Sequence, residues 1–255
     1  MDDDRVTFVR QTEQAGAAAW PALTATDYDG WLLQMANGYT RRANSALPIK
    51  TSSLPPAQKI DHVERFYRAR GLRPRFKMSP AVQPPDLDEM LAARDYGISG
   101  KTDVMMRTVF GNRLPKMEDF DTTPEPSEAW FETLFALNDV APEHQDTARA
   151  MLTTGRRVQA RFASVYRDGE RIGVGVLALN VAYAGLFDVV VAPGHRGQGH
   201  GRRMMQGLLH WAKVAGSHGV YLQVTQENTP AQKLYQSLGF ETAYSYWYRE
   251  APEGA

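Results

Sequence analysis

The chain has 255 residues, 43% of them hydrophobic, and its 29 basic residues balance 29 acidic residues, so the formal net charge at pH 7 is zero. This size and apolar content suit one large or two small folded domains and exclude a largely disordered protein, while the lack of a basic surplus argues against general binding to nucleic acid. The absence of cysteine excludes disulfides, thiolate metal ligands and a cysteine nucleophile, and no other metal-ligand spacing is present, so we expect no metal site.

The first residues, Met1-Asp2-Asp3-Asp4, are acidic. They lack the positive charge with which a secretory signal begins, and we therefore expect a cytoplasmic protein. Residues 172–192 form an apolar stretch of about the 20 residues that a membrane span requires. Its glycines and Asp188 interrupt the run, however, and favour two buried strands joined by a turn. We expect no membrane association.

In the N-terminal part, apolar runs that end at proline or glycine indicate alternating strands and helices. A short apolar strand ends at Pro48, and the helix that follows ends at Gly71. A second strand is predicted at residues 75–79, and a second helix ends at Tyr96.

The composition changes between residues 114 and 127, where three prolines stand among five acidic or basic residues. Such a segment buries little apolar surface, and proline disfavours helix. We therefore predict a linker at residues 116–126 between an N-terminal domain, 1–115, and a C-terminal domain, 127–255.

The C-terminal part predicts an α/β domain, because helices and strands alternate along it. An Asp168-Gly169 pair indicates a turn, Gly216 and Gly239 end two helices, and Thr229-Pro230 begins the second of them. The predicted helices are 127–137, 142–152, 204–215 and 229–238, and the predicted strands are 158–167, 172–179, 185–191, 220–224 and 244–248.

In both parts, a proline ends a strand and a glycine ends the helix that follows, at the same spacing. Pro48 and Pro193 each end an apolar strand, and Gly71 and Gly216 each end the helix that follows. Both pairs are separated by 145 residues. A chance match is the alternative, since strand–loop–helix–strand is a common order, but the equal spacing favours a duplication. A period this long indicates two domains rather than a solenoid.

The most informative stretch is the glycine-rich loop between the strand that ends at Val191 and the helix that follows. Glycines let the backbone expose consecutive N–H groups, and a helix N-terminus carries about half a positive charge, so the loop predicts an anion site suited to a diphosphate. A nucleotide-triphosphatase loop would need Lys and Ser or Thr after the last glycine, whereas Gly199 is followed by His200-Gly201. A dinucleotide-binding loop starting at Gly197 would need glycine where Arg202 stands.

The loop instead resembles the acyl-CoA loop of the GNAT superfamily of N-acetyltransferases, R/Q-x-x-G-x-G/A, which here reads Arg196-Gly197-Gln198-Gly199-His200-Gly201. A second signature, N-x-x-A-x-x-L-Y-x-x-x-G-F, is similar to the run from Asn228 to Phe240. The resemblance covers about residues 127–250, and residues 38–45 resemble the accessory half of two-part bacterial members. It implies an α/β mixed-sheet, tandem GNAT-like fold, with a degenerate N-terminal half and a catalytic C-terminal half that binds acetyl-CoA.

The N-terminal half should not bind coenzyme A. At the offset of 145 residues, Arg196, Gly197, Gly199 and Gly201 correspond to Thr51, Ser52, Leu54 and Pro56. Pro55 and Pro56 have no backbone N–H. A phosphate cradle built there would lack donors, and we expect this half to have a structural role.

The resemblance also implies an N-acetyltransferase reaction in which an amine attacks the thioester directly. Tyr235 would be the general acid for the leaving thiolate, Asp188 the general base acting through a water relay, and the N–H of Val189 the donor to the oxyanion. The alternatives are that Tyr235 only packs at the edge of its helix, and that Asp188 belongs to a turn or hydrogen-bond network.

The implied coenzyme A contacts are Val189, Val190, Val191, Arg196, Gly197, Gln198, Gly199, His200, Gly201, Arg202, Asn228, Ala231 and Tyr235. Arg202 is open to a second interpretation, a solvated helix residue, and His200, like His195, is expected on the phosphate side or in solvent.

Tyr39, Arg42 and Asn44 lie on a candidate strand and are our predicted acceptor contacts. We expect the acceptor to be the primary amine of a small molecule or peptide, and the protein to be a monomer or homodimer. The rival class is a non-catalytic acyl-CoA sensor or assembly module, which would bind coenzyme A without turnover.

Overall fold

The computed structural model describes residues 3–109 and 119–253. The chain divides into two compact units. Unit 1 comprises Met1–Thr102, Ala150–Gly155 and Tyr244–Ala255, and unit 2 comprises Asp103–Arg149 and Arg156–Ala243. The units therefore do not follow the predicted boundaries at 115 and 127, because the end of the chain belongs to the same unit as its beginning.

Helices and strands alternate along most of the chain. The α-helices are α1 Asp3–Ala19, α2 Pro56–Arg68, α3 Leu87–Ala92, α4 Glu128–Leu137, α5 Pro142–Leu152, α6 His200–Val214 and α7 Thr229–Ser237. The strands are β1 Thr24–Tyr28, β2 Trp31–Met35, β3 Ala46–Pro48, β4 Arg75–Met78, β5 Gly97–Thr108, β6 Phe120–Thr123, β7 Ala160–Arg167, β8 Glu170–Ala178, β9 Tyr183–Val191, β10 Gly219–Thr225 and β11 Glu241–Glu250.

In unit 1 the strands lie in the order β1-β2-β3-β4-β11. Pairing is antiparallel except between β3 and β4, which are parallel. The apolar residues of α2 recur at helical spacing, and Ile60, Val63 and Tyr67 are fully buried against the sheet. Trp31 and Phe76 complete this core from the strands.

In unit 2 the strands lie in the order β5-β10-β9-β8-β7-β6. The pairs β6–β7, β7–β8 and β8–β9 are antiparallel, whereas β9 and β10 are parallel. Helix α6 packs its apolar face on this sheet through Met204, Leu208 and Ala212, which are fully buried. A Cβ on Gly175 of β8 would lie 2.9 Å from the Sδ of Met204, so glycine is what lets α6 approach the sheet this closely.

The mixed α/β class is confirmed, and several predicted elements have the expected bounds. Helix α5 begins and ends at the predicted residues, and Ser127 caps α4 by accepting a hydrogen bond from the N–H of Trp130. The apolar stretch 172–192 contains β8 and β9, and within residues 3–109 and 119–253 no helix is long and apolar enough to cross a membrane.

The predicted linker needs correction where it is described. Residues 116–118 lie outside the described residues, but Phe120–Thr123 forms β6 and pairs antiparallel with β7. The proline-rich composition did not reveal this strand, because a short edge strand is stabilised by pairing with a distant segment. Helix α1 and the β1–β2 hairpin were not predicted either.

The duplication is visible in the order of elements. Each unit contains strand, helix, strand and helix in the same order, as β3-α2-β4-α3 and β9-α6-β10-α7. The buried faces of the first helices coincide at the predicted offset of 145 residues. In α2 the buried residues are Lys59, Ile60, Val63 and Tyr67, and in α6 the equivalent positions, Met204, Met205, Leu208 and Ala212, are buried as well.

Candidate active site

The parallel strands β9 and β10 of unit 2 separate before they end. Their pairing runs from Tyr183 opposite Gly219 to Leu186 opposite Leu222. Strand β9 continues to Val191 and β10 to Thr225. Main-chain groups beyond the last pair are therefore not used in a ladder between these two strands, and a ligand can enter there.

A β-bulge lies in β9 at this point. Strand β8 pairs Val174 with Val190 and Val176 with Phe187, so that Gly175 faces both Asp188 and Val189. Asp188 has a φ of +49°, a conformation that L-residues adopt rarely, and it is half-buried. A bulge turns main-chain groups out of the regular ladder. The sequence contained no signal for it, since nothing local marks the one-residue shift in register.

The predicted glycine-rich loop connects β9 to α6. Gly197 has a φ of +75° and Gly199 a φ of +86°, and both are exposed. No other atom lies within 4 Å of where a Cβ on either glycine would stand. The glycines are therefore required by the backbone conformation and by an open approach to the backbone, rather than by packing.

The loop presents a continuous row of N–H donors. Among the described residues, no backbone acceptor outside the helix receives a hydrogen bond from the N–H groups of residues 197 to 202, and the first bond of α6 runs from the N–H of Arg203 to the carbonyl of Gly199. No side chain caps this helix end. Unpaired N–H groups at a helix N-terminus are the donor set that a diphosphate requires, so the residues present fit coenzyme A.

Side chains around the loop hold its shape. The Nε of Arg196 donates to the carbonyl of Val191 at 3.0 Å, and the Nε2 of Gln198 donates to the carbonyl of Gly194 at 3.1 Å. Arg202 donates to the Oγ of Ser237 at 2.7 Å, which joins the start of α6 to the end of α7.

His200 is not where we expected it. The prediction placed it on the phosphate side or in solvent, but its side chain is buried, and its Nδ1 has no hydrogen-bond partner among the described residues. The reason is its position as the first residue of α6, where the side chain points back against the loop, with its ring 6.1 Å from that of His195.

Helix α7 carries the second signature. The side chain of Asn228 accepts a hydrogen bond from the N–H of Ala231 at 3.2 Å and caps the helix, which confirms the predicted helix start. Tyr235 is buried next to Phe240, with ring centroids 6.0 Å apart. Burial alone raises the pKa of Tyr235 to about 12, so the phenol is protonated at neutral pH.

These parts meet at one edge of the sheet in unit 2. The carboxyl ends of β9 and β10 lie at the same edge because the strands are parallel and adjacent. The two helices that follow these strands touch, since a Cβ on Gly201 would stand 3.3 Å from Leu234. The bulge, the loop and the helix that bears Tyr235 are thus brought together.

The predicted acceptor contacts lie in unit 1 and not on a strand. Tyr39, Arg42 and Asn44 belong to the loop between β2 and β3. Asn44 is fully buried, and its Nδ2 donates to the carbonyls of Tyr39 and Thr40 at 2.7 and 2.8 Å while its Oδ1 accepts from the N–H of Ala36 and Gly38. The predicted strand is therefore wrong here, because the amide of Asn44 offers the backbone a competing set of hydrogen bonds.

Comparison with known proteins adds four likenesses. A family model described as "Probable histone acetyltransferase Rv0428c C-terminal" matches residues 7–249. The "Uncharacterized N-acetyltransferase YobR" of Bacillus subtilis is 30% identical over 260 residues, which cover 98% of this chain and 99% of that protein. A solved GCN5-related N-acetyltransferase from Kribbella flavida superposes with a TM-score of 0.72 at 15% identity, covering 96% of each chain. A tandem GNAT protein from the clavulanic acid biosynthesis pathway superposes with a TM-score of 0.63 at 16% identity, covering 100% of this chain and 97% of the other.

Proposed function

Because this chain belongs to the GNAT superfamily and is an acetyltransferase with a tandem GNAT fold, we propose that it transfers the acetyl group of acetyl-CoA to a primary amine of a small molecule or peptide. The observation that carries this proposal is the row of free N–H groups at residues 197 to 202, next to the bulge in β9.

The proposal assigns coenzyme A to unit 2. The N–H groups of residues 197 to 202 bind the diphosphate, helped by the positive end of α6. The main chain of Val189, Val190 and Val191 binds the pantetheine arm where β9 has left its ladder with β10. Asn228 and Ala231 lie at the start of α7 and border the same arm.

The acceptor amine must lose a proton before it attacks. For an amine with a pKa of about 10.4, the neutral form costs about 4.6 kcal/mol at pH 7. Asp188 is the proposed base. The side chain of Asp188 is shorter than that of a glutamate by one methylene, so the proton passes from the amine to its carboxylate through a water molecule. Asp188 lies in the bulge of β9, two residues after Leu186, the last residue of β9 that pairs with β10.

Collapse of the tetrahedral intermediate needs two donors. The N–H of Val189 stabilises the oxyanion, since the bulge turns main-chain groups of this segment out of the ladder. Tyr235 then protonates the departing thiolate of coenzyme A. The raised pKa of Tyr235 keeps its proton in place until sulfur develops charge.

Release of free thiol from acetyl-CoA, measured over a panel of primary amines that includes peptide N-termini, tests this proposal. We expect turnover with at least one class of amine and a fall in kcat of about 10²–10⁴ in Tyr235→Phe. Tyr166→Phe is the control, because Tyr166 lies on β7 and its hydroxyl accepts a hydrogen bond from Arg171. Tight binding of coenzyme A with no turnover on any amine contradicts the proposal and favours a sensor.

A further inference from the structure

The β1–β2 hairpin of unit 1 turns at Asp29 and Gly30, whose φ values are +47° and +83°. A Cβ on Gly30 would lie 2.6 Å from the carbonyl oxygen of Thr51. The turn therefore lies directly against the segment that leads into α2, and glycine is required for this approach.

The carboxylate of Asp29 is bound by that segment. The N–H of Ser53 lies 3.1 Å from both of its oxygens, the Oγ of Ser53 donates to it at 2.9 Å, and the N–H of Leu54 donates at 2.9 Å. The Nζ of Lys59 lies 3.4 Å from the Oδ2 of Asp29 and donates to its backbone carbonyl at 2.6 Å. The N–H groups of Leu54 and Ser53 hold the pKa of Asp29 well below its usual range.

These donors stand where the other repeat has its phosphate loop. At the offset of 145 residues, at which the buried faces of α2 and α6 coincide, Ser53 and Leu54 correspond to Gln198 and Gly199. The N–H groups of Gln198 and Gly199 have no backbone acceptor among the described residues, whereas those of Ser53 and Leu54 are both taken by one carboxylate.

Unit 2 contains the same turn in a hairpin of different length. Asp168 and Gly169 join β7 to β8 with φ values of +50° and +83°. Ala46 and Val191, which correspond at the offset of 145 residues, pair with Leu33 and Gly173, and β2 begins two residues before its pair whereas β8 begins three residues before its own. Asp168 points into solvent, 87% exposed, and accepts a hydrogen bond from Arg167 of its own hairpin. Asp29, by contrast, is held by the segment that leads into α2.

The buried ammonium group of Lys59 also favours an anion beside Ser53 and Leu54. The side chain of Lys59 is fully buried, and its Nζ lies 4.1 Å from the centroid of the Trp31 ring. The residue at the same position in α6 is Met204, which is part of the apolar core. Burying an ammonium group is costly unless a counter-charge is near, and Asp29 supplies that charge.

We propose that the N-terminal repeat retains an oxyanion site at Ser53, Leu54 and Lys59, and that Asp29 closes it by placing its own carboxylate where the other repeat binds phosphate. Removal of this carboxylate opens a site for inorganic phosphate. A consequence, which rests on the proposed function, is that the chain binds a single coenzyme A.

Thermal unfolding of the full chain, with and without 100 mM sodium phosphate, tests the proposal on Asp29→Gly. Glycine accepts the positive φ, so the turn is kept while the carboxylate is lost. Asp27→Ala is the matched control, because Asp27 is an exposed carboxylate of the same hairpin that contacts the N–H of Gly30 and Lys50 instead. Sodium chloride at equal ionic strength corrects for general salt effects.

We expect Asp29→Gly to lower the unfolding midpoint by at least about 4 °C, and phosphate to recover at least half of that loss. Wild type and Asp27→Ala should gain less from phosphate, because their site remains closed. An equal gain in all three proteins, or an unchanged midpoint in Asp29→Gly, overturns the proposal.

If Asp29→Gly does not fold without phosphate, the refolding yields in phosphate and in chloride replace the midpoint, and equal yields overturn the proposal. Binding of coenzyme A is measured separately on the same variant and should match wild type. A failure of the proposed function would therefore show in that titration or in the thiol-release assay, and not in the phosphate effect.

Discussion

The conformation of the glycine-rich loop makes its glycines a direct test of the coenzyme A site. Gly199 has a φ of +86°, and Gly216, after the other end of the same helix, has a φ of +79°. Neither has an atom within 4 Å of where a Cβ would stand. Gly199→Ala and Gly216→Ala therefore introduce the same backbone strain without a clash, but only Gly199 lies in the row of free N–H groups.

The expected magnitudes follow from this comparison. An alanine in the left-handed region costs about 1–2 kcal/mol, so both variants should lower the free energy of unfolding by similar amounts. In Gly199→Ala the loop relaxes away from this conformation, and one or two charge-assisted hydrogen bonds to phosphate, worth about 1.5–3 kcal/mol each, are lost or weakened. The dissociation constant for coenzyme A should then rise at least about tenfold.

Calorimetric titration with coenzyme A and thermal unfolding are measured on wild type and both variants. We expect similar unfolding midpoints for the two variants and weaker binding only in Gly199→Ala. Equal dissociation constants in the two variants would contradict a role of Gly199 in binding coenzyme A, because its effect would then be one of stability alone.

Three further predictions concern Tyr235, Asn228 and Arg42. Burial raises the pKa of Tyr235 to about 12, so the contribution of its protonated phenol to stability is present below pH 10 and is lost as the pH rises toward 12. For the same reason, the ratio of kcat between wild type and Tyr235→Phe should stay constant from pH 7 to 10. Rates that converge in that range contradict the role of Tyr235 as general acid. Asn228→Ala removes the cap of α7 and should cost about 1 kcal/mol, seen as a midpoint about 2–4 °C lower, whereas Asn228→Asp should keep the cap and the midpoint. Arg42 is one of the predicted acceptor contacts, and its positive charge favours an acceptor that carries a carboxylate or phosphate. Arg42→Ala should therefore slow acetylation of amines that carry a carboxylate more than that of neutral amines, and equal slowing speaks against this.

Much of unit 2 could be predicted because its signals are local. Ser127 and Asn228 cap the helices that they precede, and Gly216 and Gly239 take positive φ values where the helices end. The loop from residue 193 to 201 could be recognised for the same reason, since strand end, glycines and helix start are contiguous. Each of these features is decided by a few neighbouring residues.

The features that were missed depend on residues far apart in the chain. Strands β5 and β11 each contribute residues to both compact units, which no change in composition marks. Strand β6 exists because it pairs with β7, and the bulge in β9 is a shift in register against β8. Register and pairing partner are decided by tertiary packing.

Polar side chains with unusual partners were also beyond prediction. Asn44 organises the β2–β3 loop from the inside, and Asp29 binds Ser53 and Leu54 across a separation of more than twenty residues. In the sequence both are ordinary residues of turn-rich segments. Only the folded arrangement distinguishes the bound Asp29 from the exposed Asp168, which occupies a turn of the same kind.

The coenzyme A site proposed at the glycine-rich loop is tested most directly by observing its main-chain amides. In a protein labelled with ¹⁵N-glycine, the amide resonances of Gly197, Gly199 and Gly201 are followed during titration with coenzyme A, and Gly216, after the far end of α6, and Gly219, at the start of β10, serve as distant references. We expect large shifts of the three loop resonances that saturate together, with the references nearly unchanged. Loop resonances that stay in place while coenzyme A is bound would contradict it.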